Sequence, residues 1–337
     1  MKRIYSAMSL NKVRKYILIF GTIILLGFLW HYFVSARPWD IRIPTIKNAK
    51  ALPDYEFSGI TVSEVSGAKT FFRLDAEKLA LDKQTGLLTK IRGDLLTDSR
   101  PVFFFQAQQG TMDFRRENML LTNFSGNTYK DYWYVRSTVA VWDQQHEQMI
   151  LEKNPVLWNK LGILTASKII YHAPYQLFTI GPDCELKTET ERIASKRTVL
   201  KEQIQTLTFE ENVEFDTKDF KGRSDTCDID YGKLEYRFKG NVLFRYDDVV
   251  IHALYVTYDK KTEEIRLTGD IRFVAGTNTV TSERAVIKRK EKIVEFYENT
   301  KASQGGSYIE SQHMQYDLNK KEFIASTGRT RIIKNND

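Results

Sequence analysis

Histidine, cysteine and proline are all scarce in this chain, with five, two and seven copies in 337 residues. Each scarcity removes a class of function. The histidines (31, 146, 172, 252, 313) are dispersed, and none lies in an HExxH pattern or beside a Ser or Cys nucleophile, so neither a zinc protease nor a histidine-assisted hydrolase is indicated. Cys184 and Cys227 belong to no CxxC and have no histidine neighbour, which is not a metal pattern. Both fall at strand positions, so buried thiols are the plain reading, with a disulfide as the alternative in an oxidising compartment. GxGxxG, P-loop and GxSxG patterns are absent too. No catalytic residue, metal or cofactor is therefore expected. After residue 60 proline occurs only at 101, 155, 174 and 182; Pro155 and Pro182 fall near strand positions, where edges or strand starts tolerate them.

A strong charge imbalance is also missing, despite a formal net charge of +7. Lys2, Arg3, Lys12, Arg14 and Lys15 stand in an N-terminal stretch without acids; removing these five from the 50 basic residues leaves 45 against 43 acids, a balance of +2. That is a mixed, solvated surface, and no nucleic-acid partner is expected.

What is present begins with YILIFGTIILLGFLWHYFV, residues 16 to 34, which carries no Asp, Glu, Lys or Arg. As a helix it would reach roughly 28 Å, close to the ~30 Å hydrocarbon core of a bilayer. Tyr16, Trp30 and Tyr32 sit near its ends, where amphipathic rings favour the interface, and the basic cluster before it predicts a cytoplasmic N-terminus. A cleaved signal peptide is the competing reading, with Val34-Ser35-Ala36 as a loose cleavage site, but a cleavable apolar core usually runs about 7–15 residues. The expectation is a cytoplasmic tail (1–15), one transmembrane helix (16–35), a proline-bearing tether (36–55) and an exterior remainder.

That remainder is repetitive. Counting from Ala253 in steps of 29 reaches Ser282 and Ser311 forwards, and Ser224, Ser195, Ala166 and Ser137/Thr138 backwards; slightly longer steps reach Ala107 and Ala76. Two residues before each anchor the column is apolar but for Gly222, and five and twelve residues after it the columns are apolar throughout. Apolar spacing within segments is two, the period of a strand, with no sustained helical period beyond residue 35. About nine β repeats of 29 residues follow. DKKTEE (259–264), GKLE (232–235), DLNKKE (317–322), KGN (239–241) and TGD (268–270) read as the turns between a long strand and two short ones.

At each anchor the alternation slips by one. Ile251 and Ala253 share a face, then Val256 and Tyr258 continue it one position late. One extra residue between two runs of the same face is a bulge or corner, which bends a strand so that both halves face inwards. The fold class expected is all-β: two twisted antiparallel sheets around an elongated apolar interior, each repeat touching its neighbours only. Val256, Tyr258, Ile265, Leu267, Ile271, Phe273, Met314 and Tyr316 line that interior, either as plain core or as a groove for apolar cargo. Acids paired across repeats would instead indicate a glycan-cleaving β-solenoid; Asp259 and Asp317 share a column but sit where turn caps belong. A purely structural envelope scaffold is the third reading.

The anchor, tether, PDYEFSGI (53–60) and following β units resemble LptC, the membrane-anchored periplasmic component of lipopolysaccharide export. The stretch 222–276, with a small-residue strand, "YD", a turn and an L-x-G-D/N-[IV]-x-F pattern, resembles the OstA/LptA module. The resemblance implies an open β-jellyroll, LptC-like over 56–190 and continued by an LptA-like jellyroll over 191–337. It implies that the groove holds lipopolysaccharide acyl chains and that the chain sits in the inner membrane with its bulk in the periplasm. Its sheet edges would join an ABC transporter complex through Phe57, Ile60 and Val62, and a downstream jellyroll protein through Arg329, Arg331 and Ile333. The chain departs from a single-module LptC in its greater length.

Overall fold

A computed structural model describes residues 55–334, apart from 67–68, 82–84, 114–117, 219, 247, 305–306 and 326–330. The expected basic tail, the transmembrane helix, all of the tether but Tyr55, and Arg329 therefore lie outside the described residues. Among the described residues no helix is long and apolar enough to cross a membrane. They contain 24 strands and one 3-10 turn, Glu202–Ile204, and Asp54–Asp337 forms a single compact unit.

The repeat is a hairpin of two long strands, each bent in the middle. In the unit around Ala253, Val249–Asp259 runs out, four residues turn, and Glu264–Ala275 returns. On the outgoing strand Ile251 and Ala253 are buried, Leu254 and Tyr255 exposed, and Val256 and Tyr258 buried again, so the one-residue slip is real. Pairing breaks there: His252 faces Arg272 and Tyr255 faces Thr268, leaving the residues between out of register. The same break falls at Ser224, Ser282 and Ser311.

The anchors are small because their side chains are enclosed at the bend; Ser224, Ala253, Ser282 and Ser311 are each at most 6% exposed. Where the anchor is serine it has a second task. Ser137, Ser195, Ser224, Ser282 and Ser311 each donate a hydrogen bond to the carbonyl two residues on, at 2.8 to 3.2 Å. A bulge frees backbone groups from the ladder, and the hydroxyl satisfies one of them.

The returning strands differ from expectation. KGN and TGD are not hairpin turns; they are corners inside the continuous strands Glu235–Tyr246 and Glu264–Ala275. Two successive residues there take the left-handed conformation: Glu211-Asn212, Gly240-Asn241, Gly269-Asp270 and Glu298-Asn299, with Lys153-Asn154 earlier in the chain. Asn and Asp tolerate that region better than other side chains, and 154, 183, 212, 241, 270 and 299 are all Asn or Asp. Because two residues are consumed, Ile265, Leu267, Ile271 and Phe273 keep one parity, and the bend leaves no trace in the hydrophobic alternation. The true hairpin turns carry a second left-handed column, at 147, 176, 205, 234, 263, 292 and 321.

All strands thus belong to one continuous sheet folded along its line of corners into two layers. One layer holds the outer strand halves and the hairpin turns (226–230, 235–239, 255–259, 264–268 and onwards); the other holds the inner halves and the loops between hairpins (220–224, 242–246, 271–275 and onwards). Between 148 and 201 the bend becomes a full break, so each long strand is two short ones. Gln148–Glu152, Lys168–His172, Leu177–Ile180 and Arg197–Lys201 continue the turn layer. Val156–Asn159, Gly162–Thr165, Cys184–Lys187 and Glu191–Ser195 continue the loop layer. Pro155 and Pro182 stand in two of these breaks, between strands rather than at strand edges.

The layers face each other across a single hydrophobic core reaching from Phe72 to Tyr316. Aromatic rings meet from opposite layers: Phe72 with Trp142 at 5.7 Å, Phe103 with Tyr171 at 4.8 Å, Phe215 with Phe238 at 4.2 Å and Phe273 with Tyr316 at 5.2 Å. Gly222, the exception in its apolar column, lies under the Phe215 ring and against the Leu243 carbonyl, and a Cβ there would collide with both.

Candidate functional site

The eight interior residues singled out from the sequence all come together in this core. Val256, Tyr258, Ile265, Leu267, Ile271, Phe273, Met314 and Tyr316 are each at most 5% exposed. They come from both layers, and in this structure they fill the space between them with protein. Large rings from facing layers interdigitate there: Phe220 against Tyr258 at 5.1 Å and Phe273 against Phe296 at 5.2 Å. A hollow of about 400 Å³ lies elsewhere, on the corner side, with mostly polar walls that include Asn123, Arg136 and Asn154.

The acids weighed for catalysis are turn caps. Asp259 Oδ1 accepts hydrogen bonds from the backbone N–H groups of Lys261 and Thr262, and Asp317 Oδ1 from those of Asn319 and Lys320. Those backbone donors hold the Asp259 carboxyl below its ordinary range, which suits a cap and opposes a proton donor. Among the described residues no group of His, Cys, Asp and Glu is arranged to hold a metal. Cys184 and Cys227 are buried and unpaired with each other. Burial pushes both thiols up, so they are inert while enclosed.

Sequence reading missed the margin where the free ends of the two layers meet. One side of this seam is the row of hairpin turns, the other the row of loops, and polar side chains join them. Lys130 Nζ donates to the Gln203 carbonyl (3.4 Å), Tyr231 Oη to Asp131 Oδ2 (2.8 Å), Lys260 Nζ to Glu191 Oε1 (2.8 Å) and Lys292 Nζ to Tyr246 Oη (3.0 Å); Lys321 pairs with Asp248. Lys130–Gln203 and Lys321–Asp248 are each 73 residues apart, which is about two and a half repeats up the array. Repeats therefore touch more than their neighbours. The layers are staggered because each strand half follows its own twist after the corner.

One buried acid lies in this seam without full satisfaction. Glu202, in the 3-10 turn, is 1% exposed, and its Oε1, like Trp133 Nε1 and Tyr171 Oη, has no hydrogen-bond partner among the described residues. Burial pushes its carboxyl up to about 7, with nearby Asp131 adding to the rise and Thr128 and Lys130 opposing it.

The sheet also has two ends. Tyr55–Ser66 pairs only with Lys69–Leu81 among the described residues, so its outer edge is unpaired; Phe57 is exposed there and Ile60 and Val62 are half-buried. At the other end Arg331–Lys334, which holds Arg331 and Ile333, pairs among the described residues only with Ser307–Glu310.

A two-layer array of bent hairpins with an apolar interior and two free edges is the architecture on which the comparisons with known proteins can be placed. Residues 223–322 match the family model described as LptA/(LptD N-terminal domain) LPS transport protein. All eight interior candidates fall inside that matching stretch. Among solved structures the chain is similar to LptH of Pseudomonas aeruginosa, described as the LptA-homologous periplasmic component of the conserved lipopolysaccharide transport device. The identity is 14% and the TM-score 0.31, covering 34% of this chain and 93% of that one. No curated protein matches the chain.

Proposed function

We propose that this chain carries lipopolysaccharide between membranes as one span of a β-jellyroll bridge. The observation that carries the reading is the unbroken apolar interior between two layers, part of which lies in the stretch 223–322 that matches the LptA/LptD N-terminal family. Burying an acyl chain is worth about 0.8 kcal/mol per methylene, and an interior lined by Phe273, Tyr258 and Met314 offers that environment continuously. Residues 16–35 anchor the chain in the inner membrane, leaving the array in the periplasm. The edge at Phe57, Ile60 and Val62 receives cargo from an ABC transporter complex. The edge at Arg329, Arg331 and Ile333 adds to the sheet of the next jellyroll, since unpaired strands recruit strands.

A photo-crosslinking residue at Phe273 should capture lipopolysaccharide in cells, and an absence of adducts at both Phe273 and Tyr258 would sink the reading. Ile332→Pro removes a backbone donor from the outer edge and should abolish assembly with a downstream jellyroll. A second reading, an envelope scaffold with a permanently sealed interior, is favoured by the filled core. It expects no adduct at either position and a normal assembly of both edges.

A further inference from the structure

The seam contacts are not alike, and one stands apart. Lys321–Asp248 joins two side chains that are each more than half exposed, and such pairs hold little. Glu191 is different: its side chain is 6% exposed, with Lys260 Nζ on Oε1 at 2.8 Å and Tyr236 Oη on Oε2 at 2.6 Å. Glu191 ends a strand of the loop layer, whereas Tyr236 and Lys260 belong to the turn layer. A buried carboxylate thus bridges the mouth between the layers. Glu191, Tyr236 and Lys260 line a cavity of about 70 Å³ whose other walls include Leu161, Leu186, Leu207 and Ile229.

Lys260 reaches this acid from outside. Its side chain is 38% exposed and lies over the Tyr236 ring at 6.0 Å. Further along the same rim Arg289 lies over Tyr258 at 5.8 Å and Lys292 over Tyr246 at 5.2 Å. The rim above the apolar interior therefore carries a row of cations, each leaning on an aromatic ring. Charged head above and hydrocarbon below is the pattern an anionic amphiphile complements.

We propose that Glu191, Tyr236 and Lys260 form a lateral portal through which the acyl chain of a phosphate-headed amphiphile enters the interior. In the closed state Lys260 is held by Glu191. When a chain enters the Leu-lined cavity, the layers part, Lys260 transfers from the carboxylate to the phosphoryl oxygens, and water reaching the opened seam hydrates Glu191. No covalent step is involved. The proposal rests on the carrier reading and adds a place and a head-group chemistry to it.

Native Cys227 reports on the portal. It is fully buried, and its strand pairs with the strand that carries Tyr236. Maleimide labelling of Cys227, located by peptide mass, should quicken roughly tenfold or more in Glu191→Gln and in Lys260→Gln, the scale set by losing a hydrogen bond to a charged group. Lys221→Gln breaks an exposed pair with Asp216 within one layer and should leave the rate unchanged. Dodecyl phosphate, below its micelle concentration, should protect Cys227 in the wild-type protein better than dodecanoate or dodecyl maltoside. Lys260→Gln should remove most of that preference while still taking up the chains.

Wild-type labelling rates in both seam variants, or an undiminished phosphate preference in Lys260→Gln, would overturn the portal. Should Glu191→Gln fail to fold, Lys260→Gln and Tyr236→Phe carry the test. If the portal fails while lipopolysaccharide still crosslinks at Phe273, the carrier reading stands; if both fail, it falls as well.

Discussion

Residues 148–201 and residues 206–317 solve one geometric problem in two ways. In the later stretch every long strand stays continuous and bends at a bulge, fixed by a small anchor on the way out and a left-handed pair on the way back. In the middle stretch the strand is severed at the same places, twice with a proline in the gap. Yet the turn layer and the loop layer pass through both regions without interruption. What the array conserves from unit to unit is therefore the position of the bend, every 29 residues, and not the backbone device that makes it. A ladder can lose its hydrogen bonds at a corner so long as the halves on either side remain paired to their neighbours.

The largest test of that equivalence is the core. Phe273→Ala in the continuous region and Phe178→Ala in the severed one should each cost about 3–5 kcal/mol in denaturant unfolding, as for other buried aromatics. A much smaller loss at Phe178 would show that severed strands enclose a weaker core. Next in size is a pH effect confined to the middle region. Burial raises the Glu202 carboxyl to about 7 from 4.5, so its contribution is fully present below pH ~4.5 and is lost as pH rises through 7. The wild-type protein should lose up to about 3 kcal/mol between pH 4.5 and 8 through this group. Glu202→Gln should flatten the loss in unfolding curves measured at both pH values.

Smaller again are the corners. Asn154→Val in a severed corner and Asn212→Val in a continuous one put a β-branched side chain at φ 62 and 57, and each should destabilise by about 1–2 kcal/mol. Equal values would confirm that both devices need the left-handed residue; a tolerant Asn154 would set them apart. The smallest effect belongs to the serine staple. Ser224→Ala should cost about 1 kcal/mol, whereas Ala253→Ser, which adds the same hydroxyl to a corner that lacks it, should change stability by less than ~0.5 kcal/mol.

How much of this was legible beforehand depended on periodicity. The outgoing corners announce themselves because one extra residue flips parity, as at Ala253. The returning corners do not, because two extra residues restore it; Ile265 and Ile271 share a face whether or not the strand bends between them. KGN and TGD therefore read as turns. The signal that identifies them is the column of Asn or Asp at 154, 183, 212, 241, 270 and 299, recognisable as left-handed positions only once a bend is sought. The eight interior candidates are buried for a related reason: each lies on an alternation that a strand enforces. Whether they form core or groove was not legible, because alternation says which face is inward and nothing about the distance to the facing layer.

By itself the sequence determined the repeat length, the inward face of each strand and the outgoing corners, since each depends on side chains within a few residues of one another along the chain. Tertiary structure alone decided the stagger of more than one repeat between the layers. Twist and bend accumulate along each strand half, and no local pattern records their sum. That stagger brings Glu191 to Lys260 and Asp248 to Lys321. It closes the seam over the interior and places a buried acid beside a cation there.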